Sequence, residues 1–209
     1  MTIHSVYSFF QSRFRSRRMR QFEHTFSQTR GSRVLDIGGT PSIWQFVHGD
    51  YTVTLLNLED GPCESEPDPP MDYVCGSALA LPFPDNCFDI AFSNSVIEHV
   101  GDFSAQELFA EEARRVAPRV WVQTPSRWFP VEPHYMALGI HYLPRGAQRW
   151  LLRYFSVWGW VAKPSMQYVD ATVGSIRLLS KREMKRLFPD CKIVTERFLL
   201  LAKAYIAIR

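Results

Sequence analysis

The sequence predicts an α/β fold, a parallel sheet with helices on both faces. Three observations predict it. Five short apolar segments between residues 32 and 123 alternate with helical or turn-forming stretches, an order that makes neighbouring strands parallel. A glycine pair, Gly38-Gly39, breaks the chain directly after the first of these segments. Two further strand-like segments close the chain and read as an antiparallel pair. In such sheets ligands bind beyond the carboxyl ends of the strands. The loops of interest are therefore 36–42, 57–61, 75–79, 93–100 and 124–146.

Each element has its own signal. Residues 3–28 read as a helix, because Val6, Tyr7, Phe10 and Phe14, then Phe22 and Phe26, recur at 3–4 spacing. Gly31 closes it, and Ser32–Ile37 is the first strand. A helix starts near Ser42, with Thr40 as N-cap and Pro41 at the first helical position. Tyr51–Asn57, rich in Val, Thr and Leu, is the second strand. Four prolines in 61–70 mark a solvated loop. Met71–Cys75 and Cys87–Ser93 are the third and fourth strands, separated by the turn Leu81–Asp85. Phe103–Val116 reads as a helix with Leu108, Phe109, Ala113 and Val116 on one side, and Arg119–Gln123 as the fifth strand. Ser180–Leu187 has the capping-box pair Ser180 and Glu183. Ile193–Phe198 and Leu200–Ile208 are the closing strands.

The 209 residues fit one domain, with a basic N-terminal helix in 1–30 and an inserted cap over 125–175. The cap differs in texture: residues 121–160 hold ten aromatics, and 119–160 hold five arginines against one acid, Glu132. With 46% hydrophobic and 22% charged residues the chain is neither disordered nor fibrous. A net charge of +3 does not argue for a stable nucleic-acid partner. Cys63, Cys75, Cys87 and Cys191 lie far apart without metal-ligand spacing, as free thiols in a reducing, cytoplasmic setting would. No apolar run reaches the roughly 20 residues of a membrane span. The N-terminus puts its apolar part before its arginines, the reverse of a secretory signal.

The turn Asp36-Ile37-Gly38-Gly39-Thr40 is the first chemical signal. Glycines at a strand-to-helix turn let a ligand approach the backbone closely. An acid two residues earlier discourages a phosphate and suits a positive or hydroxyl-bearing group. A sulfonium or amino-acid-bearing cofactor therefore fits better than a dinucleotide, and GxGxxG is missing.

Three segments, VLDIGGTPSIW, LPFPDNCFDIAFSNSVIEHV and TPSRWFPVEPHY, resemble class I S-adenosylmethionine-dependent methyltransferases of the type 11 kind, over about residues 30–209. The resemblance implies a Rossmann-like seven-stranded sheet of order 3-2-1-4-5-7-6 with strand 7 antiparallel. It implies S-adenosylmethionine as cofactor and S-adenosylhomocysteine as product. Asp36 and Gly38 would then match the first motif's acid and glycine, approaching the cofactor's amino-acid moiety, with Gly39 and Thr40 beside them. Thr40 and Ser42 stand where the family has its later glycines. Asn57, or Glu59 two residues on, would hold the ribose hydroxyls. Ser77, with the backbone at Gly76–Ala78, replaces the acid that reads adenine, and Asn94 and Ser95 would flank the reacting methyl.

Glu98 and His99 begin the helix after the fourth strand, and Glu132 and His134 lie in the loop after the fifth, so the two loops are placed to face each other. Three readings are open. Some relatives bind magnesium through E-x-x-E-H, but Ser95 holds the leading position here, and no metal is expected. His134, with Glu132 and His99, would serve as base for a hydroxyl acceptor. Alternatively Glu98, His99 and His134 only shape the loops.

In the cap, Arg127, Trp128, Tyr135, Arg145 and Arg149 are the candidate acceptor-binding residues, since arginine forks suit anions and aromatic faces suit sugars and rings. A sugar, nucleotide-linked or aromatic metabolite is the expected acceptor, methylated on a hydroxyl. Arg13, Arg15, Arg17, Arg18 and Arg20 form either a solvated face, an acceptor lid, or a peripheral membrane contact through residues 1–28. The alternative function is a non-catalytic protein of the same fold that binds a partner or membrane through this helix and the cap. Oligomeric state is not legible.

Overall fold

The computed structural model describes residues 3–29, 31–58, 71–132, 137–156, 159–160 and 163–209. Its strands are β1 (Ser32–Ile37), β2 (Tyr51–Asn57), β3 (Asp72–Cys75), β4 (Ile90–Asn94), β5 (Arg119–Pro125), β6 (Val131–Glu132), β7 (Ala137–Leu138), β8 (Lys192–Phe198) and β9 (Leu201–Ile208). Its helices are α1 (Ile3–Thr25), α2 (Pro41–Trp44), α3 (Phe103–Val116), α4 (Arg145–Phe155), α5 (Met166–Ser175) and α6 (Lys181–Leu187). A seven-stranded sheet runs β3-β2-β1-β4-β5-β9-β8, which is the expected 3-2-1-4-5-7-6 order once the separate β6-β7 hairpin is set aside. Among the described residues no helix is long and apolar enough to cross a membrane.

The chain forms two interleaved compact units, Met1–Asn94 with Glu112–Trp121, and Ser95–Glu111 with Val122–Arg209. In the first unit β1 pairs in parallel with β2 and β4, and β2 with β3. Ile37 stands opposite Leu56, Asn57 opposite Cys75, and Asp36 opposite Phe92, so these strands end at one level. The core is aromatic. Phe22 packs its ring 5.2 Å from Phe26, 5.8 Å from Trp44, 5.2 Å from Phe92 and 5.7 Å from Trp121. Edge-to-face pairs of this kind stabilise beyond the area they bury. Met19 and Phe22 thus bury one face of α1 within this unit, and Phe26 just beyond its end continues that face.

In the second unit β8 and β9 form an antiparallel hairpin whose register shifts after Glu196. Ser126 ties the end of β5 to β9, its amide donating to Lys203 O at 2.9 Å and its hydroxyl to the Tyr205 hydroxyl at 3.1 Å. The cap region has a small core of its own: Ile140, Leu152 and Val169, with Leu151, Val173 and Ile176 packed against it. Ser180 caps α6 through the reciprocal bonds the sequence predicts.

Three expectations need correction. β4 starts at Ile90, not Cys87, because the preceding residues terminate α3 instead: Asn86 turns at φ 52, its amide donating to Arg115 O, and the Phe88 amide donates to Val116 O. Leu108 is half exposed, since it lies about 100° around the helix from Phe109. Glu98 and His99 do not begin α3. They form a separate 3-10 turn, Ile97–His99, which Gly101 at φ 122 divides from the helix.

Candidate functional site

Within the first unit, the ends of β1, β2, β3 and β4 bring together the predicted cofactor residues. Gly38 takes φ 75, a value that a glycine adopts without strain, and its amide donates to Leu56 O at 2.7 Å. Gly39 lies directly over the Asp36 carboxylate. A Cβ on residue 39 would meet Asp36 Oδ2 at 1.8 Å, so only glycine fits. Thr40 is the N-cap residue of α2 and Pro41 its first residue, as expected, but the Thr40 side chain pairs with Ser42 Oγ at 3.0 Å rather than capping.

Asp36 is fully buried. Its Oδ2 accepts from the indole nitrogen of Trp44 at 2.8 Å, while its Oδ1 has no hydrogen-bond partner among the described residues. Burial pushes its pKa up to about 7, against the lowering effect of the Trp44 bond. Asn57 Nδ2 donates to Gly39 O at 2.9 Å, pinning the glycine loop and leaving its own Oδ1 as an acceptor. Ser77 Oγ accepts from the Leu79 amide at 3.2 Å, in a turn that carries Ala78 and closes with Ala80 N on Ser77 O. Asn94 Oδ1 accepts from Arg18 Nη1. Glu59 lies outside the described residues.

Two residues here were not legible as site residues. From the sequence Trp44 is only part of a helix. Arg18 was read as one of five arginines in a run, yet it is only 6% exposed. Its position was the available signal, because Phe14, Arg18, Phe22 and Phe26 stand four apart on one helical stripe.

The second unit holds the remaining candidates. Ser95 adopts φ 61 and is held by Gln123, whose backbone carbonyl accepts from the Ser95 amide at 3.0 Å and whose Oε1 accepts from Ser95 Oγ at 2.9 Å. Glu98 is fully buried, its Oε2 accepting from Thr124 Oγ1 at 2.9 Å. Its backbone carbonyl accepts from the Arg177 amide at 2.8 Å, and Arg177 also donates to Gln106 Oε1 and Glu183 Oε1. Glu98 therefore fixes loops. His99 is exposed. Glu132 lies in β6, while His134 and Tyr135 lie outside the described residues.

Of the acceptor candidates, Arg127 sets its guanidinium 5.8 Å from the Trp128 ring centre, and Trp128 stacks with Tyr142 at 6.4 Å. Arg145 is the exposed first residue of α4. Arg149 forms an ion pair with Asp170 of α5.

Comparison with known proteins places this arrangement. Residues 35–119, from β1 to the start of β5, match a family described as a methyltransferase domain. Over these residues the chain is similar to that methyltransferase-domain family. A methyltransferase of Mycobacterium avium strain 104 is 34% identical over 141 residues, which cover 64% of this chain and 54% of that protein. The chain thus spans about half the length of the curated relatives it matches. The fold of this chain recurs in the 1,6-didemethyltoxoflavin-N1-methyltransferase of Burkholderia thailandensis, solved with 1,6-didemethyltoxoflavin and S-adenosylhomocysteine bound. That structure has a TM-score of 0.56 at 16% identity, over 98% of this chain and 81% of the other. The cyclase SpnF is similar at TM-score 0.52 and 16% identity, over 86% of this chain and 58% of the other. Likenesses at this identity establish architecture, and the reaction has to be argued from the site.

Proposed function

We propose that the protein transfers a methyl group from S-adenosylmethionine to a hydroxyl of a small sugar, nucleotide-linked or aromatic acceptor, acting in the cytoplasm as a single domain. The observation that carries the reading is Asp36 Oδ1, a buried carboxylate oxygen without a hydrogen-bond partner among the described residues, beside a glycine that no side chain could replace. A buried acceptor of this kind calls for a donor, and the cofactor's ammonium supplies one.

The other residues fit the same group. Asn57 Oδ1 accepts a ribose hydroxyl, with Glu59 the second candidate for that role. The Ser77 hydroxyl keeps its proton to donate to an adenine nitrogen, since its oxygen already accepts from Leu79. The bound cofactor supplies an activated methyl carbon. The chain's own part is to orient the acceptor, exclude water and take up the hydroxyl proton. Proton uptake falls to His134, supported by Glu132 and His99, and acceptor recognition to Arg127, Trp128, Tyr135 and Arg145. Arg149 contributes through its pair with Asp170.

Calorimetric titration with S-adenosylhomocysteine tests the reading. A micromolar dissociation constant, about −8 kcal/mol, is expected. No heat of binding at millimolar ligand would overturn it and favour the non-catalytic reading, in which the helix and cap serve a partner.

A further inference from the structure

The apex of the β8–β9 hairpin is apolar and exposed, and the reaction above uses neither it nor Arg197; only the neighbouring Arg127 and Trp128 also serve the acceptor reading. Phe198 pairs with Leu201, so Leu199 and Leu200 form a two-residue turn. They are 81% and 87% exposed. Leu199 also sits at φ 54, where tight hairpin turns favour glycine or asparagine. Leucine at this position thus serves neither hydration nor local backbone preference.

Scattered exposed apolar residues need no explanation, but a contiguous patch does. This one is contiguous. The Phe198 ring lies 6.4 Å from Phe129, edge to face. The preceding residue, Trp128, is 60% exposed, stacks with Tyr142 and carries the Arg127 guanidinium over its ring. Arg197, beside the apex, is exposed. Of the basic residues in 197–209, Lys203 pairs with Glu196 and Arg209 with Asp190, so the charge next to the apex is Arg197.

We propose that this apex docks the protein on an anionic lipid surface. Leu199 and Leu200 enter the acyl region, Trp128 lies at headgroup level, and Arg127 and Arg197 meet lipid phosphates. Interfacial docking of this type combines a small apolar insertion, an aromatic ring at the boundary and basic charge around it. The arginines decide the occupant: a second copy of this chain would bring arginines to arginines, whereas an anionic bilayer answers them.

The test is flotation of the full-length protein with phosphatidylcholine vesicles, with and without phosphatidylglycerol. The protein should float with the anionic vesicles only, and less in high salt, because exposed charge attraction is screened. The double variant Leu199→Asp, Leu200→Asp should lose binding by about tenfold or more with an unchanged circular dichroism spectrum. Arg197→Gln should weaken it further from the wild-type level in anionic vesicles alone. Three results would overturn the proposal: no flotation of the wild type, flotation unaffected by the double variant, or self-association without lipid that the double variant abolishes. Loss of flotation only on Arg13→Gln, Arg15→Gln, Arg17→Gln would assign the contact to α1 instead and also overturn it.

Discussion

The indole nitrogen of Trp44 donates to Asp36 Oδ2 across 2.8 Å, joining the single turn of α2 to the end of β1. Gly39 lies between them on the same carboxylate, and Asn57 holds Gly39 O from the neighbouring strand. The loop that would meet a cofactor is thus shaped from beneath by a buried acid. That acid is held on one oxygen, and the other has no hydrogen-bond partner among the described residues.

Burial raises the Asp36 pKa from 3.8 to about 7. The folded protein therefore binds more protons than the unfolded chain between these values, and stability falls as pH rises through that window. Relative to the unfolded chain the group costs about 2 kcal/mol at pH 5, where the folded protein keeps it protonated, and about 4 kcal/mol at pH 8, where it is ionised. Asp36→Asn keeps an acceptor for Trp44 without that charge. Thermal unfolding should show the variant more stable than wild type, with a gap wider at pH 8 than at pH 5. A gap that does not change with pH contradicts the assignment. The same variant should bind S-adenosylhomocysteine about tenfold less tightly or worse, having lost the counter-charge for an ammonium.

Gly39→Ala pushes a methyl group into Asp36. The carboxylate cannot rotate away while Trp44 holds it, so the loop must shift. Cofactor affinity should fall about a hundredfold, since a misplacement on the ångström scale suffices for a loss of that size. Calorimetry compares the two proteins directly, and equal affinities would show that the loop does not form the site.

What the sequence showed of this arrangement was its backbone. Strand-forming segments, the glycine turn and the Ser180 cap are local signals, and β1, β2 and α3 match the expected bounds. Partners distant in sequence were not local signals. Trp44 reaches back over the glycine turn to an acid eight residues earlier, and β4 starts late because Asn86 and Phe88 bond to carbonyls at the end of α3. Arg18 is the intermediate case. Charge argued for solvent, while its place on the Phe14–Phe22–Phe26 stripe argued for burial, and packing decided.

Arg18 and Asn94 should therefore couple. A double-mutant cycle with Arg18→Met and Asn94→Ala, followed by urea unfolding, should give an interaction energy of about 1–3 kcal/mol, as for a hydrogen bond from a charged group. Additive losses would show that the contact contributes nothing to stability.

Ser180→Ala removes one half of the α6 capping box, the bond from the Glu183 amide to Ser180 Oγ, while the backbone amide of residue 180 still donates to Glu183 Oε2. The expected loss is about 1 kcal/mol, a midpoint about 2–4 °C lower. An unchanged midpoint would mean that α6 is held by its buried Met184 and Leu187 alone.

Arg145 and Arg149 were grouped by sequence, but their surroundings differ. Arg149 is paired with Asp170, so it links α4 to α5, while Arg145 is exposed at the start of α4. Arg149→Ala leaves Asp170 without its cation in a half-buried position and should lower thermal stability by about 1 kcal/mol. Arg145→Ala should leave stability unchanged and raise the Michaelis constant for an anionic acceptor about tenfold, the cost of losing one charge-assisted contact. The ratio of the two effects is the informative quantity. If both substitutions act only on stability, the cap does not read an anion and its aromatic rings are left to recognise the acceptor. If Arg149→Ala raises the Michaelis constant without lowering the midpoint, the Asp170 pair opens when acceptor binds.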